Sequence, residues 1–173
     1  MSPSAAPVPL YTAEERARRD ASRWTLVQGV LAPLQFLVFA VSLALVLRTL
    51  LTGEGAALAN ASVLVKTAVL YAIMITGSLW ERDVFGKYLF AAPFFWEDVV
   101  SMGVIALHTL YVGLVLAGAG GTTLQLQVAL AAYAVYLVNA AQFVHKLRLA
   151  RRAPPPETPS NAPPATPPEG APA

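Results

Sequence analysis

Between Trp80 and Asp98 the chain gathers four carboxylates, two cations and seven aromatic side chains within nineteen residues. The acids are Glu81, Asp83, Glu97 and Asp98, and the cations are Arg82 and Lys87. Two neighbouring carboxyls keep a proton at neutral pH when repulsion and partial burial disfavour a second charge. A protonated carboxyl beside an ionised one supplies a general acid and a general base together. Glu97 and Asp98, adjacent in sequence, are the first candidates for those roles. Glu81 and Asp83 come second, since Arg82 and Lys87 offer them solvated ion pairs. Phe94, Phe95 and Trp96 directly precede the acids and suggest a flat aromatic platform for a large planar ligand. The plainer reading of the stretch is an interfacial belt, with Trp80, Tyr88 and Trp96 anchoring helix ends at a membrane surface. That reading leaves Pro93, Phe94 and Phe95 unexplained.

Other polar residues fall at helical spacings. Glu97, Ser101 and His108 share one face, because eleven residues at 100° each return to within about 20° of the start. His108 then lies about 16 Å deeper than Glu97. An ionisable group at that depth is a candidate functional residue, or else a hydrogen-bonded part of the packing. Gln28, Gln35, Ser42 and Thr49 recur every seven residues and form a second polar face. They serve either interhelical hydrogen bonding or a ligand cleft. Pro33, within the same stretch, frees a backbone carbonyl and predicts a kink. Tyr136, Asn139 and Phe143 make a third stripe, with Asn139 deep enough to bond across a bundle. The chain has no P-loop, GxGxxG, HExxH or GxSxG motif and no metal-ligand spacing of His, Asp and Glu, so no metal site is expected.

The elements that carry these residues follow from composition. Of 173 residues, 56% are hydrophobic and 13% charged, with no cysteine. Soluble domains carry about 25% charge, so a water-soluble enzyme, a disordered chain and a cysteine-ligated cofactor protein are all disfavoured. Four apolar runs, 27–51, 61–80, 99–117 and 124–144, match the roughly 20 residues that cross a bilayer as helix. Ten of the twelve Lys and Arg flank the first run, follow the fourth or lie between the second and third. The expected fold is therefore an all-α, multi-pass four-helix bundle with both termini cytoplasmic. Arg48 and Lys66, the two exceptions, sit near the edges of their runs and are expected to snorkel outward. The net charge of +2 gives no argument for nucleic acid. Residues 1–23 read as a disordered start plus a surface helix opened by the Thr12–Glu15 capping-box pattern. Residues 24–152 form the membrane domain. Residues 153–173 hold nine prolines and read as a disordered tail.

Several long stretches together resemble the 3-vinyl bacteriochlorophyllide hydratases. They are Trp24 to Phe36, Val84 to Ala91, Phe94 to Asp98 and Asn139 to Phe143. The resemblance runs from about Leu10 to Arg152 and leaves the proline-rich tail outside. It implies an integral membrane hydro-lyase of bacteriochlorophyll biosynthesis in a bacterial inner or intracytoplasmic membrane. Such an enzyme adds water to the C3-vinyl group of a (bacterio)chlorophyllide, and a neighbouring dehydrogenase later oxidises the hydroxyethyl product. The resemblance carries no set of catalytic residues with it. The chemistry needs a proton donor, a water-activating base and a slot for a flat ring. It needs no cofactor beyond the magnesium that belongs to the substrate. Glu97 and Asp98, then Glu81 and Asp83, are the expected acid–base groups. His108 is expected to ligate that magnesium or orient water. Gln28, Gln35 and Asn139 are expected to bind ring carbonyls. A non-enzymatic pigment-binding or complex-assembly protein is the alternative, and would need no acids at the mouth. A small transporter ranks last, because the fourth run and the outer loops are bare of charge.

Overall fold

The computed structural model describes residues 10–152, and all regular structure among them is helical. The disorder expected of residues 1–9 and 153–173 lies outside the described residues. The elements are α1 (Ala13–Ala21), α2 (Arg23–Thr52), α3 (Ala56–Phe85), a 3-10 turn (Ala92–Phe94), α4 (Phe95–Leu116) and α5 (Gly121–Arg152). Four of them, α2 to α5, are long and apolar enough to cross a membrane.

Helix α1 starts where the capping box predicts. Thr12 Oγ1 accepts from the Glu15 amide at 3.2 Å, and Glu15 Oε2 accepts from the Thr12 amide at 2.9 Å. Glu14 and Glu15 in its first turn and Arg18 and Arg19 in its last complement the helix dipole. Ser22 ends α1 and caps α2, accepting from the Trp24 amide, while its hydroxyl donates to Asp83 at 2.8 Å. That bond ties the corner to the end of α3.

The long helices extend well beyond the apolar runs. At 1.5 Å per residue the 30-residue α2 and α3 each span about 45 Å, more than the roughly 30 Å of hydrocarbon. Across a bilayer their ends would therefore reach the headgroup layers. Helix α2 runs through Pro33 as one element. It closes on Gly53, in the left-handed region at φ 77°, and a three-residue turn leads into α3.

Helix α2 packs along α3 and α4 along α5, and the two hairpins meet through α2–α5 and α3–α4 contacts. The shared core contains Phe39, Val46, Val63, Leu70, Val104, Tyr111 and Tyr133. Ala59, Ala129 and Ala132 are fully buried and let backbones approach closely, as small residues do in membrane bundles. Many large apolar side chains, Leu26, Leu37, Leu51, Ile75 and Leu116 among them, point outward. On a soluble protein that surface would aggregate; around a membrane bundle it meets lipid tails.

The seven-residue polar face of α2 does look inward, with Gln35, Ser42 and Thr49 buried. Gln28 donates across to Thr76 Oγ1 at 2.7 Å. One expectation fails. Lys66 does not snorkel outward but is fully buried at the centre of the bundle. Helix α3 begins at Ala56, five residues before the apolar run, so Lys66 is ten residues inside it rather than at an edge.

Candidate active site

One end of the bundle collects α1, the last turns of α3, the first turns of α4 and the late turns of α5. Helix α3 stops at Gly86, whose φ of 76° turns the chain away. The connection then folds back over the end of α3, because Phe90 adopts a left-handed φ of 59°. Two consecutive amides consequently point at two carboxyls from different helices. Phe90 N–H donates to Asp98 Oδ2 at 2.6 Å, and Ala91 N–H donates to Glu81 Oε2 at 3.2 Å. Held by adjacent amides, the Glu81 and Asp98 carboxyls are brought together as neighbours at this end of the bundle. Both are buried. Two buried carboxyls set this close disfavour a second negative charge and are suited to share one proton.

The partners differ from those read in the sequence. Glu81, expected to be solvated beside Arg82 or Lys87, is instead the buried partner of Asp98. Glu97, expected to pair with Asp98, forms an ion pair with Lys146 of α5 at 2.6 Å. The same ammonium donates to the Pro93 carbonyl, clamping the 3-10 turn against α5. Asp83 is exposed and accepts from Ser22. Asn139 lies behind the pair and donates to Ser101 Oγ at 2.5 Å and to the Glu97 carbonyl at 3.3 Å. Gln142 on the same stretch of α5 and Gln35 on α2 each keep a buried amide oxygen without a partner among the described residues.

The three consecutive aromatics separate. Phe94 is buried and packs on Trp80, Phe85, Tyr11 and Phe143 with centroid distances of 5.5 to 6.4 Å. Phe95 and Trp96 face outward, with Phe90 against Phe95 at 5.7 Å. The outward aromatic surface is thus Phe90, Phe95 and Trp96, and Phe94 is the floor beneath the turn.

His108 lies apart from this mouth, ten residues deeper along α4 than Asp98, about 15 Å. Its Nδ1 bonds the Val104 carbonyl at 2.8 Å and so carries the proton. Its Nε2 therefore accepts from Lys66 Nζ at 2.9 Å. The Lys66 ammonium sits 4.2 Å from the Tyr136 ring centroid. The Tyr133 ring lies 5.9 Å from that of His108, and its hydroxyl bonds Ser42 at 2.6 Å, which in turn bonds Ser62 at 2.7 Å. No carboxylate pairs with Lys66 among the described residues. Sequence reasoning missed the roles of Lys66, Lys146 and the Phe90 amide. One ionisable residue in each of two spans was a signal for the first, since such groups seek each other inside a membrane. No group of three or more His, Cys, Asp or Glu capable of holding a metal occurs among the described residues. A cavity of about 200 Å³ lies at the opposite end, beside Thr49, Gly53, Thr122 and Leu126.

Comparison with known proteins bears on this geometry. A family model described as 2-vinyl bacteriochlorophyllide hydratase matches residues 11–149. A protein of that name from Cereibacter sphaeroides is 64% identical over 150 residues, covering 87% of this chain and 93% of the relative. Another of that name, from Rhodobacter capsulatus, is 62% identical over 142 residues, covering 82% of each. No solved structure matches the chain.

Proposed function

The chain belongs to the 2-vinyl bacteriochlorophyllide hydratase family, and from that membership we propose that it is a membrane hydratase of bacteriochlorophyll biosynthesis, adding water to a vinyl group on the macrocycle of a (bacterio)chlorophyllide. The group the family name counts as 2-vinyl is the one numbered C3 above. The observation that carries the proposal into chemistry is the Glu81–Asp98 pair, two carboxyls from different helices, both buried and each bonded by a backbone amide at one end of an apolar bundle; in this reading the pair shares one proton.

The shared proton passes to the terminal vinyl carbon, where the double-bond electrons form the new C–H bond. The inner carbon becomes a cation delocalised into the macrocycle, and the pair is left with two negative charges facing it. Water attacks that carbon, and the proton it sheds returns to the pair. The product is the 1-hydroxyethyl group and the pair is restored. The cycle is redox-neutral and calls for no cofactor; magnesium enters with the substrate. Proton placement of this kind contributes about 10²–10⁴-fold. The Glu97–Lys146 ion pair holds a third carboxylate away from the proton relay and fixes the turn. Phe95 and Trp96 form the lipid-side wall for the ring. Gln35, seven residues deeper along α2 than the Gln28–Thr76 bond, lies away from the acid pair, and its amide oxygen, without a partner among the described residues, is assigned no part in the water attack. His108, Gln28 and Asn139, already engaged inside the bundle, hold the frame.

The reaction end is cytoplasmic in this reading, because ten of the twelve cations gather there. That puts both termini in the cytoplasm of a bacterial inner or intracytoplasmic membrane, where the product alcohol meets a neighbouring dehydrogenase. The test is to incubate membranes containing the protein with 3-vinyl bacteriochlorophyllide. A gain of one water in the pigment mass supports the proposal. Bound but unchanged pigment would point instead to a carrier.

A further inference from the structure

Phe90 combines three features. It is the one non-glycine residue with positive φ among the described residues. Its amide bonds Asp98, and the next amide bonds Glu81. Its ring is half exposed and packs on the outward ring of Phe95. A bulky L side chain in the left-handed region is a strained outlier, and such strain persists only where the surroundings over-determine it. Here the surroundings are identifiable. Gly86 begins the turn, Pro93 ends it under the Lys146 clamp, and Phe94 is locked into the aromatic cluster. Consecutive N–H groups in such a turn converge into a small anion-binding concavity. A glycine at this position would give the same backbone without strain, so the strain itself points to a use for the ring.

We infer that Phe90 links the acid pair to the substrate: its left-handed backbone aims two amides at Asp98 and Glu81, and its ring contacts the flat macrocycle. The inference rests on the hydratase reading. The backbone sets where the proton is held, and the ring sets where the vinyl group stops relative to it.

The test is a split between kcat and KM in membrane assays with 3-vinyl bacteriochlorophyllide. Phe90→Gly keeps the left-handed backbone and deletes the ring. It should hold kcat near the wild-type value and raise KM about ten-fold, the scale of one lost aromatic contact. Phe90→Val keeps an apolar, amide-bearing residue but resists the left-handed region. It should lower kcat about 10²-fold, as a 1 Å misplacement of a reacting group does. Phe90→Asn, which tolerates the left-handed backbone, should behave like Phe90→Gly and decides the matter if the valine variant fails to accumulate. An unchanged KM for Phe90→Gly overturns the inference. So does an unchanged kcat for Phe90→Val, or a lost kcat for Phe90→Asn. If the wild-type protein turns nothing over, the hydratase reading fails instead. Pigment affinity, read by quenching of tryptophan fluorescence, then still tests the ring contact: weaker binding by Phe90→Gly upholds it and equal binding overturns it.

Discussion

The four acids of Glu81–Asp98 fall into three arrangements, and helix geometry explains which could be read in advance. Their concentration in one short stretch is plain in the sequence. Their pairing is not. Glu97 and Asp98 are neighbours, but adjacent helical residues point about 100° apart and do not face each other. One turns to Lys146, the other to Glu81, which the chain brings back through the Gly86–Ala91 connection. Lys66 escaped for a related reason. Its place near the edge of an apolar run made it look free to leave the membrane, whereas α3 begins earlier and carries it into the core. The His108–Lys66 bond makes a prediction at this scale. His108→Leu alone leaves the buried Lys66 amine without its acceptor and should destabilise the protein by about 1–3 kcal/mol. The double variant Lys66→Met/His108→Leu removes both polar groups and should recover most of that loss. Thermal unfolding in detergent measures both, and equal losses in the single and double variants would contradict the pairing.

At the scale of elements, four spans were legible because apolar length alone identifies them. Their ends were not, because the flanking turns of α3 and α5 are polar and dilute the hydropathy signal while remaining helical. The connection between α3 and α4 was legible only as an aromatic, acid-rich stretch. Its left-handed residue is a phenylalanine, so no glycine marks the bend at Phe90. The clamp on that connection is testable. Lys146→Met removes the ammonium from Glu97 and from the Pro93 carbonyl, and should cost about 2 kcal/mol, within the range for hydrogen bonds to charged groups. Lys146→Arg keeps the charge and should retain most of the stability. Faster amide hydrogen exchange at residues 90–94 in the methionine variant is the expected signature, and unchanged exchange would show that the turn holds without the clamp.

For the whole molecule, the distribution of charge predicts an orientation that can be checked directly. The chain contains no cysteine, so single introduced cysteines are unambiguous probes. Cysteine at Lys87 should react with an impermeant thiol reagent only from the cytoplasmic side, and cysteine at Glu54 or Ala119 only from the other. The reverse pattern would invert the topology and with it the side on which the product appears. Between those surfaces, the bundle holds the buried, amide-bonded Glu81–Asp98 pair at one end and presents outward aromatics beside it, which suits an amphiphilic planar substrate arriving within the bilayer. The most direct test compares the initial rate of water addition to 3-vinyl bacteriochlorophyllide by membranes carrying the wild-type protein, Glu81→Gln, Asp98→Asn and Asp83→Asn at equal abundance. The Glu81 and Asp98 variants should each lose about 10²-fold or more, with Asp83→Asn close to wild type. Wild-type rates in both pair variants would contradict the central claim that this pair carries the hydration.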